Sequence, residues 1–241
     1  MKFYQSILLK NYPKIRHHFT TKESQNLAFH VGDNREAVLS HHNNLAKDLN
    51  YNPENLVHMK QIHSDIVKIV TSSDNFENPP TCDALITNKK ETPLMVMVAD
   101  CSPILFYDNL KNVIAVAHAG RAGAFKNIIQ SVIQVFIGEF HSKPNDINVT
   151  IGPSIGACCY EIGEEIYLEA KLLNLAFAIK TREKRYFLDI KKILKKQLLE
   201  EGIKEENIEI SDICNACKED TFYSYRVKNK TGRFAGVIFL K

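Results

Sequence analysis

The sequence lacks any apolar stretch of about 18 residues, the length that a membrane-spanning helix requires. It also lacks a linker rich in proline, glycine or serine, and no internal repeat is visible. We therefore predict a single domain spanning residues 1–241, which is long enough for a large hydrophobic core. Residues 1–11 carry no small-residue cleavage site, so we expect no signal peptide, no membrane association and a cytoplasmic location.

A strong excess of one charge is missing as well, since the formal net charge is only +3. The lysines cluster in helical segments such as residues 191–196 rather than in an extended basic arm. Such clusters are typical of a solvated helix face. We therefore expect a small-molecule substrate and no nucleic-acid partner, while the sequence pattern predicts no particular oligomeric state.

The six cysteines of a cytoplasmic chain favour free thiols over a disulfide framework. Cys214 and Cys217 form a Cys-x-x-Cys pair, but a structural zinc needs a second pair and none follows, so we predict that they are turn cysteines. The adjacent Cys158 and Cys159 would point to opposite faces of an extended chain and are expected to be packing residues. Cys82 precedes a predicted strand and is expected to be structural too.

Apolar runs and turn residues predict an α+β fold, in which strands dominate the first half. Close spacing of these strands leaves no room for crossover helices, so a single layered domain with a mixed sheet flanked by helices is expected. One helix should begin after Asn34, with His41 and His42 on its polar face. The predicted helices cover residues 34–50, 124–140, 164–173 and 189–201, and the predicted strands are Leu56–Met59, Ile66–Val70, Ala84–Thr87, Leu94–Ala99, Ile104–Tyr107, Val113–Ala117, Ile147–Ile151, Ile208–Ile210, Thr221–Tyr225 and Phe234–Leu240.

Three metal-competent residues stand out: His63, Cys101 and His118. Cys101 and His118 follow buried apolar strands, at positions where functional side chains are held on rigid scaffolding. Two imidazoles and one thiolate would fill three positions of a tetrahedral zinc and leave the fourth for water, which predicts a zinc enzyme. Asp100, beside Cys101, is a candidate catalytic proton shuttle or a support for the ligand. The same residues also fit a hydrolase in which Cys101 is the catalytic nucleophile and a histidine is the base.

Three arginines are candidates for binding an anionic group of the substrate. Arg121 lies between Gly120 and Gly123 in a strand-to-helix turn, where backbone amides and the helix dipole can receive an anion. Glycines in a tight turn need no ligand, so a purely structural role is equally compatible. Arg226 and Arg233 flank a predicted hairpin and could grip phosphate or a carboxylate bidentately.

Several longer motifs occur together and in a fixed order. They are Asn26-Leu27, His30-Val-Gly-Asp33, Gln61-Ile-His63-Ser, Asp83-Ala-Leu-Ile-Thr87, Ala99-Asp-Cys101-Ser-Pro103, Ala117-His-Ala-Gly120, Ile151-Gly-Pro-Ser-Ile-Gly156, Cys158-Cys-Tyr-Glu-Ile-Gly163, Phe222-Tyr-Ser-Tyr-Arg226 and Thr231-Gly-Arg233. In this combination the chain resembles the laccase-domain family. That family is also called the multicopper polyphenol oxidoreductase, purine nucleoside phosphorylase and peptidoglycan editing factor PgeF family. The resemblance implies a single α+β layered domain with the laccase-domain fold.

The resemblance also implies an activity and a metal. His63, Cys101 and His118 fall on the family's zinc ligands. The implied reactions are phosphorolysis of adenosine, inosine and S-methyl-5′-thioadenosine, with purine nucleoside and phosphate as substrates, and hydrolytic deamination of adenosine. Copper is the less favoured metal, because a multicopper oxidase needs many close-set histidine pairs and this chain has nine histidines in all. A peptidoglycan-precursor hydrolase and a non-enzymatic binding module are the remaining alternatives.

One turn departs from the family pattern. Members of the family typically read His-Ala-Gly-Trp-Arg-Gly, whereas this chain reads His-Ala-Gly-Arg-Ala-Gly from His118 to Gly123. Ala122 thus stands where the family has arginine. Arg121, one position earlier, is the candidate to replace it as an anion contact.

Overall fold

The computed structural model describes residues 2–241 and orders them as strands and helices in a layered arrangement. The strands are β1 (Phe3–Tyr4), β2 (Ile15–Thr20), β3 (Val67–Ile69), β4 (Ala84–Thr87), β5 (Leu94–Val98), β6 (Ser102–Asp108), β7 (Val113–Ala119), β8 (Ile147–Ile151), β9 (Glu161–Ile162), β10 (Ile179–Arg182), β11 (Arg185–Leu188), β12 (Ile208–Ile210) and β13 (Phe234–Leu240). The α-helices are α1 (Ile7–Lys10), α2 (Arg35–Leu49), α3 (Arg121–Phe125), α4 (Ile128–Phe140), α5 (Glu164–Leu172) and α6 (Ile190–Glu200). None of the described helices combines the length and the apolar character needed to cross a membrane.

A six-stranded mixed sheet in the order β12-β8-β6-β7-β4-β3 forms the centre of the fold. Its middle strands pair antiparallel, and the two edge strands, β12 and β3, pair parallel with their neighbours. Strands β6 and β7 are buried along their whole length because both faces of this sheet are covered. This burial explains why their sequences read as continuous apolar runs rather than as alternating ones.

A second, antiparallel sheet in the order β1-β2-β13-β5 packs face to face against the first. Alternation along β13 shows the layering, since Phe234 and Ile238 point into the core between the sheets while Ala235 and Val237 face the opposite side. Helix α2 covers that opposite side, and helices α4 and α6 cover the outer face of the six-stranded sheet. The predicted α+β layered class is confirmed, with two stacked sheets where one mixed sheet was expected.

Local differences from the predicted elements have clear physical causes. The apolar helix predicted over residues 124–140 is divided, because Asn127 takes a left-handed conformation (φ 60°) and its side chain caps α4. The strand predicted over Thr221–Tyr225 is wrong, since these residues form turns and irregular backbone, and the hairpin expected around them is therefore absent. The segment Leu56–Met59 contributes only an isolated bridge, between Val57 and Leu94. The hairpin formed by β10 and β11 was not predicted.

The expectation that His42 lies on the polar face of its helix is wrong. Its side chain is buried, its ring stacks on Phe29 at a centroid distance of 5.6 Å, and its Nε2 lies 2.8 Å from the Leu27 carbonyl oxygen. Burial is the main reason that the pKa of His42 falls to about 4, and the nearby charges of His58 and His41 lower it further. His42 is therefore neutral in the folded protein at pH values where an exposed histidine is half protonated.

Acidification from about pH 7 to pH 5 is expected to destabilise the fold. An unfolded His42 binds its proton near pH 6.5 and the folded one only near pH 4, so the stability that depends on the neutral ring is lost as pH falls through this window. The full contribution is up to about 3 kcal/mol at pH 4 and below. Urea unfolding of wild type and His42→Gln at both pH values, in matched metal states, measures it. A pH dependence that is equal in both proteins would contradict the assignment.

Candidate active site

Three segments bring His63, Cys101 and His118 together at one edge of the sheets. His118 lies near the end of β7, Cys101 occupies the turn between β5 and β6, and His63 belongs to the loop before β3. One ligand atom from each of the three residues lies within 4.8 Å of those of the other two. The Cys101 Sγ and His63 Nε2 atoms are 3.9 Å apart, and the His63 and His118 ring centroids are 4.7 Å apart. The trio that the sequence singled out is thus a cluster in space.

The carboxylate of Asp83 holds two members of the trio in place, and the sequence had not singled it out for this role. Asp83 is fully buried and accepts a hydrogen bond at Oδ1 from His118 Nδ1 (2.8 Å) and another from the His63 backbone N–H (3.0 Å). Its Oδ2 accepts from the backbone N–H and hydroxyl of Ser64, each at 2.7 Å, and from the Ile62 N–H. Because Nδ1 of His118 is engaged, Nε2 is the ring nitrogen left to face Cys101.

The charges of the cluster favour a deprotonated thiol. Burial alone would raise the pKa of Cys101, but the His118 charge and hydrogen bonds from His118 and His63 lower it to about 6. Burial conversely lowers the pKa of His118, whereas the Cys101 thiolate and the Asp83 carboxylate raise it to about 9. Burial would raise the pKa of Asp83, but hydrogen bonds from His118 and Ser64 outweigh this effect and hold its pKa well below the usual range.

Gly120 allows the chain to pass close to the cluster. A Cβ atom at this position would lie 2.7 Å from the Cys101 Sγ and 3.5 Å from His63 Cδ2, so a side chain cannot be accommodated without moving the thiol. Gly120 has an extended backbone and precedes α3. The glycine is thus explained by close approach of the backbone to the thiol, which favours the structural reading of this turn.

Asp100 lies beside the cluster, with its carboxylate engaged by a neighbouring loop. Its φ angle is 88°, an uncommon conformation for a residue with a side chain. Oδ1 accepts hydrogen bonds from Asn215 Nδ2 (2.8 Å) and the Ser224 hydroxyl (2.7 Å), and Oδ2 accepts from the Arg226 backbone N–H (2.7 Å). Asp100 therefore ties the segment from Asn215 to Arg226 to the turn that carries Cys101.

The cluster lies in a pocket of about 430 Å³. All three arginines singled out in the sequence line this pocket, although Arg121 begins α3 and the other two lie in the loop before β13. Arg121 Nη1 also pairs with Glu169 Oε2 at 2.6 Å, and Arg226 Nη2 donates to the Glu161 carbonyl oxygen at 3.0 Å. Arg233 Nη1 donates to the carbonyl oxygens of residues 231 and 232, which orients its half-buried guanidinium group.

Further pocket residues were not found from the sequence. Tyr160 and Tyr225 supply aromatic rings, and the guanidinium carbon of Arg226 lies 5.2 Å from the Tyr160 ring centroid. Gln61 and His30 also line the pocket. The Gln61 side chain exchanges two hydrogen bonds with the Met97 backbone, which joins the His63 loop to β5. In the sequence these residues stand out only because they belong to the motifs that occur in a fixed order. A single tyrosine or glutamine has no characteristic spacing that would mark it as a site residue.

The donor set fits a metal ion that accepts nitrogen and sulfur ligands. His63, Cys101 and His118 supply two imidazoles and a thiolate, and the buried Asp83 orients one imidazole in the manner common for metal-bound histidines. A divalent cation would replace the proton that His118 carries, so binding is expected to release protons. Three ligands leave a coordination position open, and the geometry thus supports a metal-binding site.

Sequence comparison finds known proteins that are similar to this chain over most of its length. Residues 16–241 match the family described as multi-copper polyphenol oxidoreductase laccase. The chain is 31% identical to a protein named purine nucleoside phosphorylase YlmD from Bacillus subtilis, over 92% of this chain and 87% of that protein. It is 38% identical to a purine nucleoside phosphorylase from Clostridium acetobutylicum, over 78% of this chain and 77% of that protein.

Solved structures lead to the same family. The crystal structure of YlmD from Geobacillus stearothermophilus superposes with a TM-score of 0.91 at 28% identity, covering 100% of this chain and 99% of that one. A Bacillus licheniformis protein, YfiH, gives a TM-score of 0.89 at 29% identity, with 94% and 93% of the two chains covered. A match over almost the whole sequence, two relatives above 30% identity and a shared fold leave one conclusion: the chain belongs to the laccase-domain family, whose members in Bacillus subtilis and Clostridium acetobutylicum are named purine nucleoside phosphorylases.

Proposed function

We propose that this protein is a zinc-dependent purine nucleoside phosphorylase of the cytoplasm that also deaminates adenosine. The proposed nucleosides are adenosine, inosine and S-methyl-5′-thioadenosine. The observation that carries the proposal is the meeting of three arginines and the His63–Cys101–His118 cluster in one pocket of about 430 Å³. That volume lies within the range of small-molecule sites. The names of the relatives select purine nucleosides among the ligands that such a pocket could take.

The arginines of the pocket are the proposed phosphate contacts. A guanidinium group matches two phosphate oxygens with two parallel N–H donors and keeps its charge at all relevant pH values. Arg233 is oriented by its own backbone contacts, and Arg226 lies over the Tyr160 ring. Arg121 already forms an ion pair with Glu169, so it is the weakest of the three candidates for binding phosphate. This assignment supplies anion contacts although Ala122 occupies the position where the family has arginine.

The purine base is proposed to pack against the apolar and aromatic part of the same pocket. Tyr160 and Tyr225 present aromatic surfaces, and Ile155 and Met97 add apolar contacts. A planar heterocycle gains from such surfaces through burial and ring stacking. The base would then lie against these side chains and the phosphate against the guanidinium groups, with the ribose between them.

In phosphorolysis, a phosphate oxygen forms a bond to the anomeric carbon while the bond from that carbon to the purine nitrogen breaks. The purine leaves with the electron pair and takes up a proton, and ribose 1-phosphate remains. The pocket arginines would hold the attacking phosphate and offset its charge near the positively charged sugar of the transition state. Positioning of the nucleophile is thus the main contribution that these side chains would make.

In deamination, water adds to the amino-bearing carbon of adenine and ammonia leaves, which yields inosine. Zinc bound by His63, Cys101 and His118 would supply this reaction with a water whose pKa is lowered towards about 7. Copper is less favoured, as the sequence already indicated. Asp83 holds His118 in the orientation and tautomer that a ligand needs. Because three hydrogen bonds occupy the Asp100 carboxylate, we assign Asp100 the positioning role rather than the proton shuttle.

Product analysis of adenosine, incubated with zinc-loaded protein in the presence and absence of phosphate, tests the proposal. Adenine and ribose 1-phosphate are expected only with phosphate, and inosine is expected under both conditions. In the presence of phosphate, hypoxanthine should also accumulate, because inosine is cleaved in turn. Failure to consume any nucleoside in the presence of phosphate would overturn the proposal, and turnover of a peptidoglycan precursor instead would support the editing alternative.

Replacing Arg233 with glutamine is expected to affect phosphorolysis selectively. Loss of one charge-assisted hydrogen bond to phosphate should raise the KM for phosphate about 10- to 100-fold, since such bonds contribute about 1.5–3 kcal/mol. Glutamine can still donate to the backbone carbonyls that Arg233 contacts. Steady-state kinetics with varied phosphate measures the effect. The control is Arg185→Gln, on the exposed part of β11, which should leave KM unchanged.

A selective loss would appear as an unchanged rate of adenosine deamination in the Arg233→Gln protein. Equal losses of both activities would show that the substitution damages the whole pocket and would contradict a specific phosphate contact. An unchanged KM for phosphate would contradict the assignment of Arg233 as a phosphate contact. Arg226 and Arg121 would then be the remaining candidates, and their glutamine variants test them in the same assay.

A further inference from the structure

A second group of metal-competent side chains lies apart from the active-site trio. The Sγ atoms of Cys158, Cys159, Cys214 and Cys217 all lie within 4.8 Å of one another. The expectation that Cys214 and Cys217 have no second pair is therefore wrong. Two loops that are more than 50 residues apart in sequence supply the two pairs, and the fold brings them together.

The local backbone explains why adjacent cysteines can share one site. Residues 157–159 form a turn rather than an extended strand, so the alternation that would send Cys158 and Cys159 to opposite faces does not apply. Gly156 permits the approach, because a Cβ there would lie 3.2 Å from the Cys158 Sγ and 3.4 Å from the Cys214 Cβ. Neighbouring backbones are joined at this point by a bridge between Ser154 and Cys214.

We propose that these four cysteines form a structural zinc site, distinct from the active site and with four thiolate ligands. In a tetrahedral zinc–thiolate centre with bonds of about 2.3 Å, neighbouring sulfur atoms are about 3.8 Å apart. The Cys217 Sγ lies 3.5 Å from the Cys158 Sγ and 3.3 Å from the Cys159 Sγ. All four cysteines are free in this structure, so small movements suffice to surround an ion. A closed set of four protein ligands is typical of a structural site.

Two backbone donors favour a thiolate at Cys214. The Gly156 backbone N–H donates to the Cys214 Sγ at 3.2 Å, and the Cys217 backbone N–H donates to the same atom. Such donors stabilise negative charge on a sulfur atom. Four thiolates and one divalent ion leave a net charge of −2, which calls for nearby cations. The half-buried Lys191 lies close enough to Cys214 and Cys158 to interact electrostatically with both, and Arg182 donates to the Cys158 carbonyl oxygen.

An ion could also reach the site from solvent. Cys158 and Cys217 are exposed, Cys159 is partly buried and Cys214 is buried, so the cluster is open on one side. The four thiols would lose their protons to solvent as the ion binds. No redox step is involved, and zinc, which has no redox chemistry, suits thiolates of this kind.

The position of the cluster gives the proposed ion a role. The loop with Cys158 and Cys159 also carries Ile155 and Tyr160, which line the active pocket. The segment with Cys214 and Cys217 carries Asn215, which donates to the Asp100 carboxylate. A zinc ion would therefore join two loops of the active pocket behind its lining. Its removal is expected to loosen these loops while it leaves the His63–Cys101–His118 ligands intact.

Metal counting on full-length variants tests the proposal. Protein prepared under reducing conditions with zinc and no chelator is expected to hold two zinc ions per chain by mass spectrometry of the elements. The double variant Cys214→Ser/Cys217→Ser should hold one, His118→Ala should hold the other one, and the combined variant should hold none. Cys82→Ala, which removes a buried thiol outside both clusters, should keep both ions.

Cobalt binding gives a second measurement that does not depend on folding of the cysteine variants. Cobalt added to metal-depleted wild type should produce thiolate-to-metal charge-transfer absorption from two sites, and the site with four thiolates should give several-fold more than the site with one. In His118→Ala the stronger signal should remain. One zinc per chain that disappears in His118→Ala would overturn the second site, as would disulfides among the four cysteines in the reduced preparation or iron in place of zinc.

These outcomes separate the second site from the proposed activity. If wild-type protein holds two zinc ions but turns over no nucleoside, the proposed function is contradicted and the cysteine site is supported. Turnover with a single zinc ion, held by the His63–Cys101–His118 cluster, would support the function and refute the second site.

Discussion

The His118→Ala protein is expected to lose its active-site metal ion and its nucleoside turnover together. In the proposed metal site His118 would supply a ligand nitrogen, and it is the residue through which the buried Asp83 contacts the cluster. Loss of a residue that merely orients a metal ligand weakens binding about 10- to 100-fold, so loss of the ligand itself should exceed about 100-fold. Zinc content and turnover of adenosine, measured on the same preparation, check this expectation.

A suitable control removes a histidine from elsewhere in the fold. His141→Asn keeps the left-handed backbone at the end of α4 (φ 53°), since asparagine adopts this conformation readily, and should leave metal and activity unchanged. Full activity of His118→Ala would contradict the site. Two further measurements distinguish a ligand from a nucleophile at position 101. Loss of zinc from a Cys101→Ser variant would identify Cys101 as a metal ligand. Activity of metal-free wild-type protein would identify it as a nucleophile.

Replacing Gly120 with alanine is expected to be nearly as damaging, although the change adds a single methyl group. The new Cβ would lie 2.7 Å from the Cys101 Sγ, while unstrained contacts of carbon lie at about 3.5–4.0 Å. The thiol or the turn must move, and a displacement of about 1 Å at a reacting site can lower the rate about 100-fold. Zinc affinity and kcat/KM for adenosine should therefore both fall.

The matched control for this prediction is Gly138→Ala in α4. No heavy atom within 4 Å would meet the added Cβ there, and alanine in a helix is more stable than glycine by about 0.5–1 kcal/mol. This variant should be slightly more stable and fully active. A Gly120→Ala protein with unchanged zinc affinity would show that the turn relaxes without disturbing Cys101, which would contradict the close-approach explanation.

The sequence was sufficient to find the candidate metal-binding trio, because residue chemistry and local pattern coincide there. Cys101 and His118 each come at the end of a short apolar run that contains β-branched residues, a pattern consistent with a buried strand. Strand boundaries such as Ala84–Thr87, Ile147–Ile151 and Phe234–Leu240 were predicted as the structure has them. The order of the motifs indicated the family, which the family match over residues 16–241 and a relative matched over 92% of this chain confirm.

Other features could not be found in this way, because they depend on residues that are distant in sequence. Asp83 directly precedes β4 and resembles any buried polar residue until its partners on two other segments are known. His42 lies four residues after Val38 and three before Leu45, so the helical period places it on the buried face, and the polar residue type led to the opposite prediction. The pairing of two stacked sheets likewise depends on β13, the last strand, returning to lie between β2 and β5.

The sequence alone therefore determined the class of fold, the family and three candidate ligands, since each is encoded in residue type and short-range order. Tertiary structure decided which carboxylate orients His118, which arginines share the pocket and that two cysteine pairs meet. The physical reason is that hydrogen bonds and metal coordination act over about 2–3 Å. Contacts of that range between distant segments exist only after the sheets have stacked and the loops have closed.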